Sequence, residues 1–232
     1  MKKRGKKAAV ESGIALKNAG VCGEKTGDFN AALQAYKAWV DVESIPVAYQ
    51  NYLLALKKAG RAEEVKKVLD EGLAKFPKDG PLLLEKVNSF LPRKDYTSAL
   101  VYVNRLLAED PGNDHALFVK ALAYEKLQNT DSVIYYYKKT VAANPKNENA
   151  AINLAAAIIS KAGTITQNMN TLGKSAEDNR TYSALKLQAH DLYASAKTYL
   201  QQVLEINPKN ADAAKTLMQI DAYLGTKSGD SK

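Results

Sequence analysis

The side chains with the strongest chemistry in this 232-residue chain are two histidines and one cysteine. His115 and His190 each lack a second His, Cys or acidic residue at the spacing that would complete a metal site. His190 and Asp191 are neighbours in a helical stretch, so their side chains diverge by about 100° and do not form a base with its orienting carboxylate. Cys22 sits beside Gly20 and Gly23 with no accompanying histidine, a pattern that predicts a small packing residue rather than a nucleophile. No glycine-rich run ends in Lys-Ser or Lys-Thr, as a phosphate-cradling loop requires, and Gly163-Thr164 and Gly173-Lys174 are isolated. The expectation is a non-enzyme with no catalytic residue, cofactor or metal.

What must position any functional side chain is a repeat. Pro77, Pro111 and Pro145 stand 34 residues apart, and Pro208 follows after 63, which is the same period enlarged by an insertion of 29. Each proline closes a similar phrase, LAKFP, LAEDP, VAANP and LEINP, and twelve residues earlier stands Val65, Ala99, Val133 or Ala196. A period of this length denotes a solenoid built from one supersecondary unit. Within each period, two amphipathic stretches flank a polar break, so the unit is helix, turn, helix, ended by a residue that cannot continue a helix.

Gly27-Asp28-Phe29 followed by Ala32, Tyr36 and Trp39, Asp95-Tyr96 followed by Ala99 and Leu106, and Tyr124 with Val133 and Tyr137 are similar to the tetratricopeptide repeat family. The resemblance covers about residues 13 to 225 and implies an all-α, right-handed superhelical solenoid of five repeats. These span 13–45, 46–79, 80–113, 114–147 and 148–210, the last with its insertion at 161–190, and a capping helix follows at 211–225. A basic tail at 1–12 and a polar tail at 226–232 flank them. The family's small residue at the close approach of each first helix is matched by Gly20, Ala121 and Ala155 but replaced by Leu53 and Val87, so the second and third repeats are expected to pack differently, with a wider spacing. Pro92 shortens the first helix of the third repeat. The first repeat has Ser44 in place of its closing proline, with Pro46 two residues on.

In this family, function lies on the concave face lined by the first helices. The resemblance places Lys17, Val21, Gln50, Leu54, Leu84, Asn88, Leu91, His115, Phe118, Leu122, Glu125, Asn149, Ile152, Ala156 and Ile159 there. Leu84, Asn88, His115, Phe118, Leu122, Glu125, Asn149, Ile152 and Ile159 are the candidate contacts for a protein or peptide partner, the apolar ones either filling gaps between repeats or forming a trough for a helix or extended peptide. Tetratricopeptide proteins that grip a chaperone's C-terminal carboxylate use Lys, Asn and Arg positions that here read Lys17, Val21, Asn51, Pro81 and Glu85, so that clamp is not expected. The expected function is a non-catalytic interaction scaffold.

Charge bounds the alternatives. The formal net charge is +8, but Lys2, Lys3, Arg4, Lys6 and Lys7 supply five of it, leaving 28 basic against 25 acidic residues from Ala8 onward. Such a segment reads as a solvated, disordered tail, the sharper alternative being attraction to nucleic acid or an anionic membrane. No stripe of Arg and Lys with interleaved aromatics makes a stacking platform, so no specific nucleic acid is expected. No apolar run approaches the ~18 residues of a membrane span. Gly5 to Ala19 carries lysines and Glu11 instead of the apolar centre of a signal peptide, so a cytoplasmic location is expected. The segment Tyr199 to Gly225, however, resembles the end of bacterial cell-envelope tetratricopeptide proteins, which keeps a periplasmic location open. The single cysteine allows no internal disulfide.

The insertion is the most individual part. Ile158, Ala162, Ile165, Met169 and Leu172, then Tyr182, Leu185, Ala189, Leu192 and Ala196, recur at alternating three- and four-residue steps. That periodicity extends both helices into an antiparallel hairpin with its tip near Gly173 to Asn179, projecting roughly 20 Å for ~15 residues per arm. Tyr182, Leu187 and Met169 are expected to be exposed on it, available for a partner or for self-association. In the last helix, Leu217, Met218 and Ile220 are expected to face the array, with Asp212, Lys215, Gln219 and Asp221 toward solvent.

Overall fold

The computed structural model describes residues 2–225, with side chains from residue 12 onward, so the polar tail 226–232 and the side chains of the basic segment lie outside the described residues. Two compact units, 1–110 and 111–232, divide the chain. The first holds α1 (Lys2–Thr26), α2 (Phe29–Val42), α3 (Pro46–Lys58), α4 (Ala62–Lys75), α5 (Gly80–Phe90), a 3-10 turn (Leu91–Arg93) and α6 (Tyr96–Glu109). The second holds α7 (Asp114–Lys126), α8 (Thr130–Ala143), α9 (Glu148–Met169), α10 (Ala176–Ile206) and α11 (Ala211–Leu224). The helices pair as α1/α2, α3/α4 and α5/α6 in the first unit and α7/α8 and α9/α10 in the second, closed by α11.

The sequence sets these boundaries through caps. Asp28, Asp79, Asp95, Asn113, Asn129, Asn147 and Asn210 each accept a hydrogen bond from the backbone N–H three residues on. Each such cap contributes about 1 kcal/mol. Pro77, Pro111, Pro145 and Pro208 all stand two residues past the last helical position. Their loops are then tied across helices. Arg105 Nη2 donates to the Pro77 carbonyl at 2.6 Å, and Gln202 Nε2 to that of Pro145 at 2.8 Å. Asn144 Nδ2 donates to Asp114 at 2.7 Å. Asn207 and Asn210 both donate to Glu148 Oε1, at 3.0 and 2.9 Å, and these bonds hold the Glu148 carboxyl below the ordinary glutamate range.

Several expectations need correction. The basic segment is not set apart from the first helix, because the backbone of α1 begins at Lys2. Cys22 is exposed, turned away from the α2 contact that Gly20 and Gly23 make. The insertion is a two-helix arm whose turn lies about three residues earlier than expected: α9 ends at Met169 and α10 begins at Ala176, with Ser175 and Asp178 forming a capping box. Met169, expected to be exposed, is only 6% accessible and builds the arm's own core with Ile165 and Ala189. On α11 the roles of two residues reverse. Met218 is 64% exposed, whereas Asp221 is 4% exposed and accepts from Lys197 of α10 at 2.7 Å. The two residues are one helical turn apart, and Lys197 of α10 supplies the cation that compensates the buried Asp221 carboxylate.

Leu53 and Val87 are buried without any small residue at the close approach. In the third repeat, α5 stops at Phe90 and gives way to Leu91–Arg93, as Pro92 requires, with Lys94 in the left-handed region at φ 54°. In the first, Gly20 is required sterically: a Cβ there would lie 2.4 Å from the ring of buried Tyr36. Gly163 in α9 has nothing within 4 Å of a built Cβ. Gly20→Ala is expected to destabilise the fold by about 1–3 kcal/mol through overpacking, whereas Gly163→Ala is expected to stabilise it by about 0.5–1 kcal/mol. Urea midpoints of the two variants check both signs.

Candidate functional site

In the second unit, α7 and α9 present one face with the character of a contact surface. Ala116, Val119 and Ala123 turn into the core, which leaves Phe118, Leu122 and Glu125 along the other side of α7. On α9 the same division buries Ala151, Leu154, Ala155 and Ile158 and leaves Asn149, Ile152, Ala156 and Ile159. Phe118, Leu122, Ile152 and Ile159 are half-buried and packed against the core cluster, so each fills a gap and still offers an apolar edge. Asn149 and Glu125 are exposed beside them.

A polar chain runs through this surface. Tyr137, wholly buried on α8, donates its hydroxyl to Glu125 Oε1 at 3.0 Å and accepts from Asn153 Nδ2 at 3.1 Å. The Phe118 ring meets the Tyr137 ring at a centroid separation of 5.5 Å. Beside the chain opens a cavity of about 290 Å³ lined by Glu125, Gln128, Val133, Asn153, Ala156 and Ser160. The arrangement fixes a carboxylate at the rim of a small depression, with an amide and an aromatic edge nearby. It can accept hydrogen bonds from a bound chain and bury a side chain, and it offers no nucleophile or paired acid and base.

Of the sequence-predicted residues, α7 and α9 bring Phe118, Leu122, Glu125, Asn149, Ile152 and Ile159 onto the second unit, with His115 half-buried at the start of α7. Leu84, Asn88 and Leu91 lie half-buried on the first unit. There Gln50 Nε2 donates to Asp79 at 3.0 Å, and Asn51 Nδ2 is engaged by the Val47 carbonyl at 2.7 Å, inside its own helix. His190 Nδ1 lies 3.9 Å from Asp191 Oδ1, beyond hydrogen-bond range, and both side chains are exposed. Among the described residues, no three His, Cys, Asp or Glu side chains gather as a metal site would need, and no helix is long and apolar enough to cross a membrane. Sequence reasoning missed Tyr137 and Asn153 as parts of the site. The available signal was Asn153 itself, a lone amide in the otherwise apolar run from Ala150 to Ile159.

Antiparallel helix pairs repeated along the chain define an α-helical repeat protein. Within it, residues 84–148 match the tetratricopeptide repeat family model. Over 82 residues the chain is 35% identical to a tetratricopeptide repeat and J domain-containing co-chaperone of Fusarium oxysporum f. sp. lycopersici, a stretch covering 34% of this chain and 16% of that protein. The chain thus spans a minor part of that relative. Among solved structures, a double mutant of MamA from the Desulfovibrio magneticus strain RS-1 aligns with a TM-score of 0.60 at 18% identity, covering 87% of this chain and 97% of that one. A tetratricopeptide repeat protein from Parabacteroides merdae ATCC 43184 aligns with a TM-score of 0.57 at 19% identity, covering 94% and 81%. Identities this low establish a shared fold alone, here all-α helix-pair repeats.

Tyr137→Phe removes the hydroxyl that joins Glu125 to Asn153. Because Glu125 can be rehydrated, the expected loss of stability is about 1 kcal/mol, with unchanged helicity. Chemical denaturation followed by far-UV circular dichroism measures it.

Proposed function

We propose that the protein is a non-catalytic interaction scaffold whose α7/α9 face binds a peptide or helix of a protein partner. The observation that carries this reading is the Glu125–Tyr137–Asn153 chain beside an open depression, bordered by the apolar edges of Phe118, Leu122 and Ile152. A bound segment would set an apolar side chain against Phe118 and Ile152 while its backbone or side-chain donors reach Glu125 and Asn149, the pattern of groove recognition. Tetratricopeptide repeats as a class mediate protein–protein contacts, which supports the reading at the coarser level. Replacing Phe118 and Ile152 together by serine is expected to abolish partner capture while leaving helical content intact. Unchanged capture, measured by affinity purification with mass spectrometry from the source cell, would overturn it. Deleting residues 1–7 separates the electrostatic alternative, since a basic-tail binder would lose affinity and steep salt dependence.

The arm supports a second contact. Tyr182 is 43% and Leu187 64% exposed, and with Lys186 and His190 they line one side of α10. The arm's core of Ile165, Met169 and Ala189 is a distinct buried cluster, joined to the one that holds the second unit through half-buried Leu192 and Tyr193. Cutting 161–190 back to a short turn is therefore expected to preserve cooperative folding, since repeat stability resides in neighbouring pairs. Any dimer of the full chain is expected to weaken on the same cut, as size-exclusion chromatography with light scattering would register. Loss of folding on trimming would show instead that the arm belongs to the core.

A further inference from the structure

The first unit carries a cavity of about 380 Å³ that the α7/α9 reading does not use. It lies between α4 and α5, where Val65 and Leu69 form an apolar floor and Phe90 a wall, and Lys66, Lys86 and Arg93 surround the opening. Its volume falls within the range of small-ligand and anchor-residue pockets. The cavity follows from the departures noted above. Pro92 ends α5 early, and the 3-10 turn swings Arg93 across the Phe90 ring, 5.9 Å from its centroid. At 100° per residue, Lys86 and Phe90 occupy the side of α5 opposite Leu84 and Asn88, so this is a different surface from the one on which the family resemblance places a peptide.

The charge here is one-sided. No Asp or Glu lines the cavity. Of the acids nearby, Asp70 pairs with Lys86 and Asp95 caps α6 through the Ser98 N–H at 3.1 Å, while Glu63 beside Ala62 is exposed to water. Lys86 is 9% exposed and rests over the stacked Phe90 and Tyr102 rings, 5.7 and 5.6 Å from their centroids, which fixes it at the wall. Lys66 and Arg93 are exposed on the two sides of the opening. Fixed cations around an apolar depression suit an occupant that is apolar at one point and anionic around it, because each carboxylate gains charge-assisted bonds from Lys or Arg while the apolar group leaves water. We infer that the α4/α5 cavity is a docking site for an acidic peptide segment that inserts one bulky apolar side chain.

This goes beyond the reading of the α7/α9 face and is separable from it. Three acetylated and amidated hexapeptides serve as probes: one phenylalanine among glutamates, the same peptide with alanine for phenylalanine, and one phenylalanine among lysines. Each is titrated into the full chain with backbone amide shifts recorded by NMR. The first peptide is expected to bind with shifts centred on Leu69 and Phe90, and the other two to bind at least about tenfold more weakly. Lys66→Glu combined with Arg93→Glu, both exposed, is expected to weaken the first peptide by a similar factor and to steepen no other binding. The Phe118 and Ile152 double variant is expected to leave it unchanged. Equal binding of the acidic and basic peptides, no binding up to millimolar concentration, insensitivity to the charge reversal, or shifts centred on α7 and α9 would each overturn the assignment. Only the last of these would favour the other surface.

Discussion

Every helix pair in this protein must fill the gap between its two helices, and the fold depends on how two positions share it. The first helix places a residue at the close approach, and the second helix places one 16 residues later: Gly20 with Tyr36, Leu53 with Leu69, Val87 with Val103, and Ala121 with Tyr137. Ala155 and Leu200 continue the series across the 29-residue insertion. All ten are buried. A glycine or alanine goes with a tyrosine or leucine, and a larger aliphatic residue goes with leucine or valine. Close-packed interiors tolerate exchange of volume between neighbours far better than a change in its sum. Leu53 and Val87 therefore do not break the repeat. They redistribute its volume.

Redistribution has a local consequence at the protein surface. Where Tyr137 fills the gap, its hydroxyl emerges at the far side and organises Glu125 and Asn153, so a core residue also shapes the exposed face of the second unit. Tyr49 does the same in the first unit, donating to Glu71 at 2.8 Å and holding that carboxyl below its ordinary range. In the second and third repeats the paired positions are themselves aliphatic, and the Tyr49 hydroxyl comes from outside them. The third repeat instead combines a helix shortened by Pro92 with a cavity against α4.

The period, the helix pairs, the arm and the closing helix were legible in the sequence because each rests on local signals: an Asn or Asp cap, a proline stop, and apolar residues at helical spacing. What was not legible depends on a partner distant in sequence. Asp221 is buried because Lys197, on another helix, reaches it, and no periodicity on α11 carries that information. Met169 turns inward because Ala189 on the returning arm leaves room for it. Cys22 shows the converse: its small size suggested packing, but Gly20 and Gly23 already occupy the contact with α2. Of the candidate surface, the shared register of Phe118 and Leu122 on α7 and of Ile152 and Ile159 on α9 follows from helical spacing, whereas the Tyr137 bridge needed three helices to be placed together.

The two ends of the second unit show why polar links appear where apolar packing is incomplete. Interior pairs bury apolar surface on both sides, but α11 has a pair on one side only and leaves Met218 to solvent. Hydrogen bonds and charge compensate there: Asn207 and Asn210 converge on Glu148, and Lys197 meets Asp221 between α10 and α11. Such links contribute less per contact than apolar burial, yet they are directional, so they fix the angle at which the last helix closes the array. The arm has such a link at its base, where Lys161 pairs with Asp131 of α8. It is held by the small core of Ile165, Met169 and Ala189 and by the capping box at its tip, which leaves the outer side of α10 free to serve as a surface.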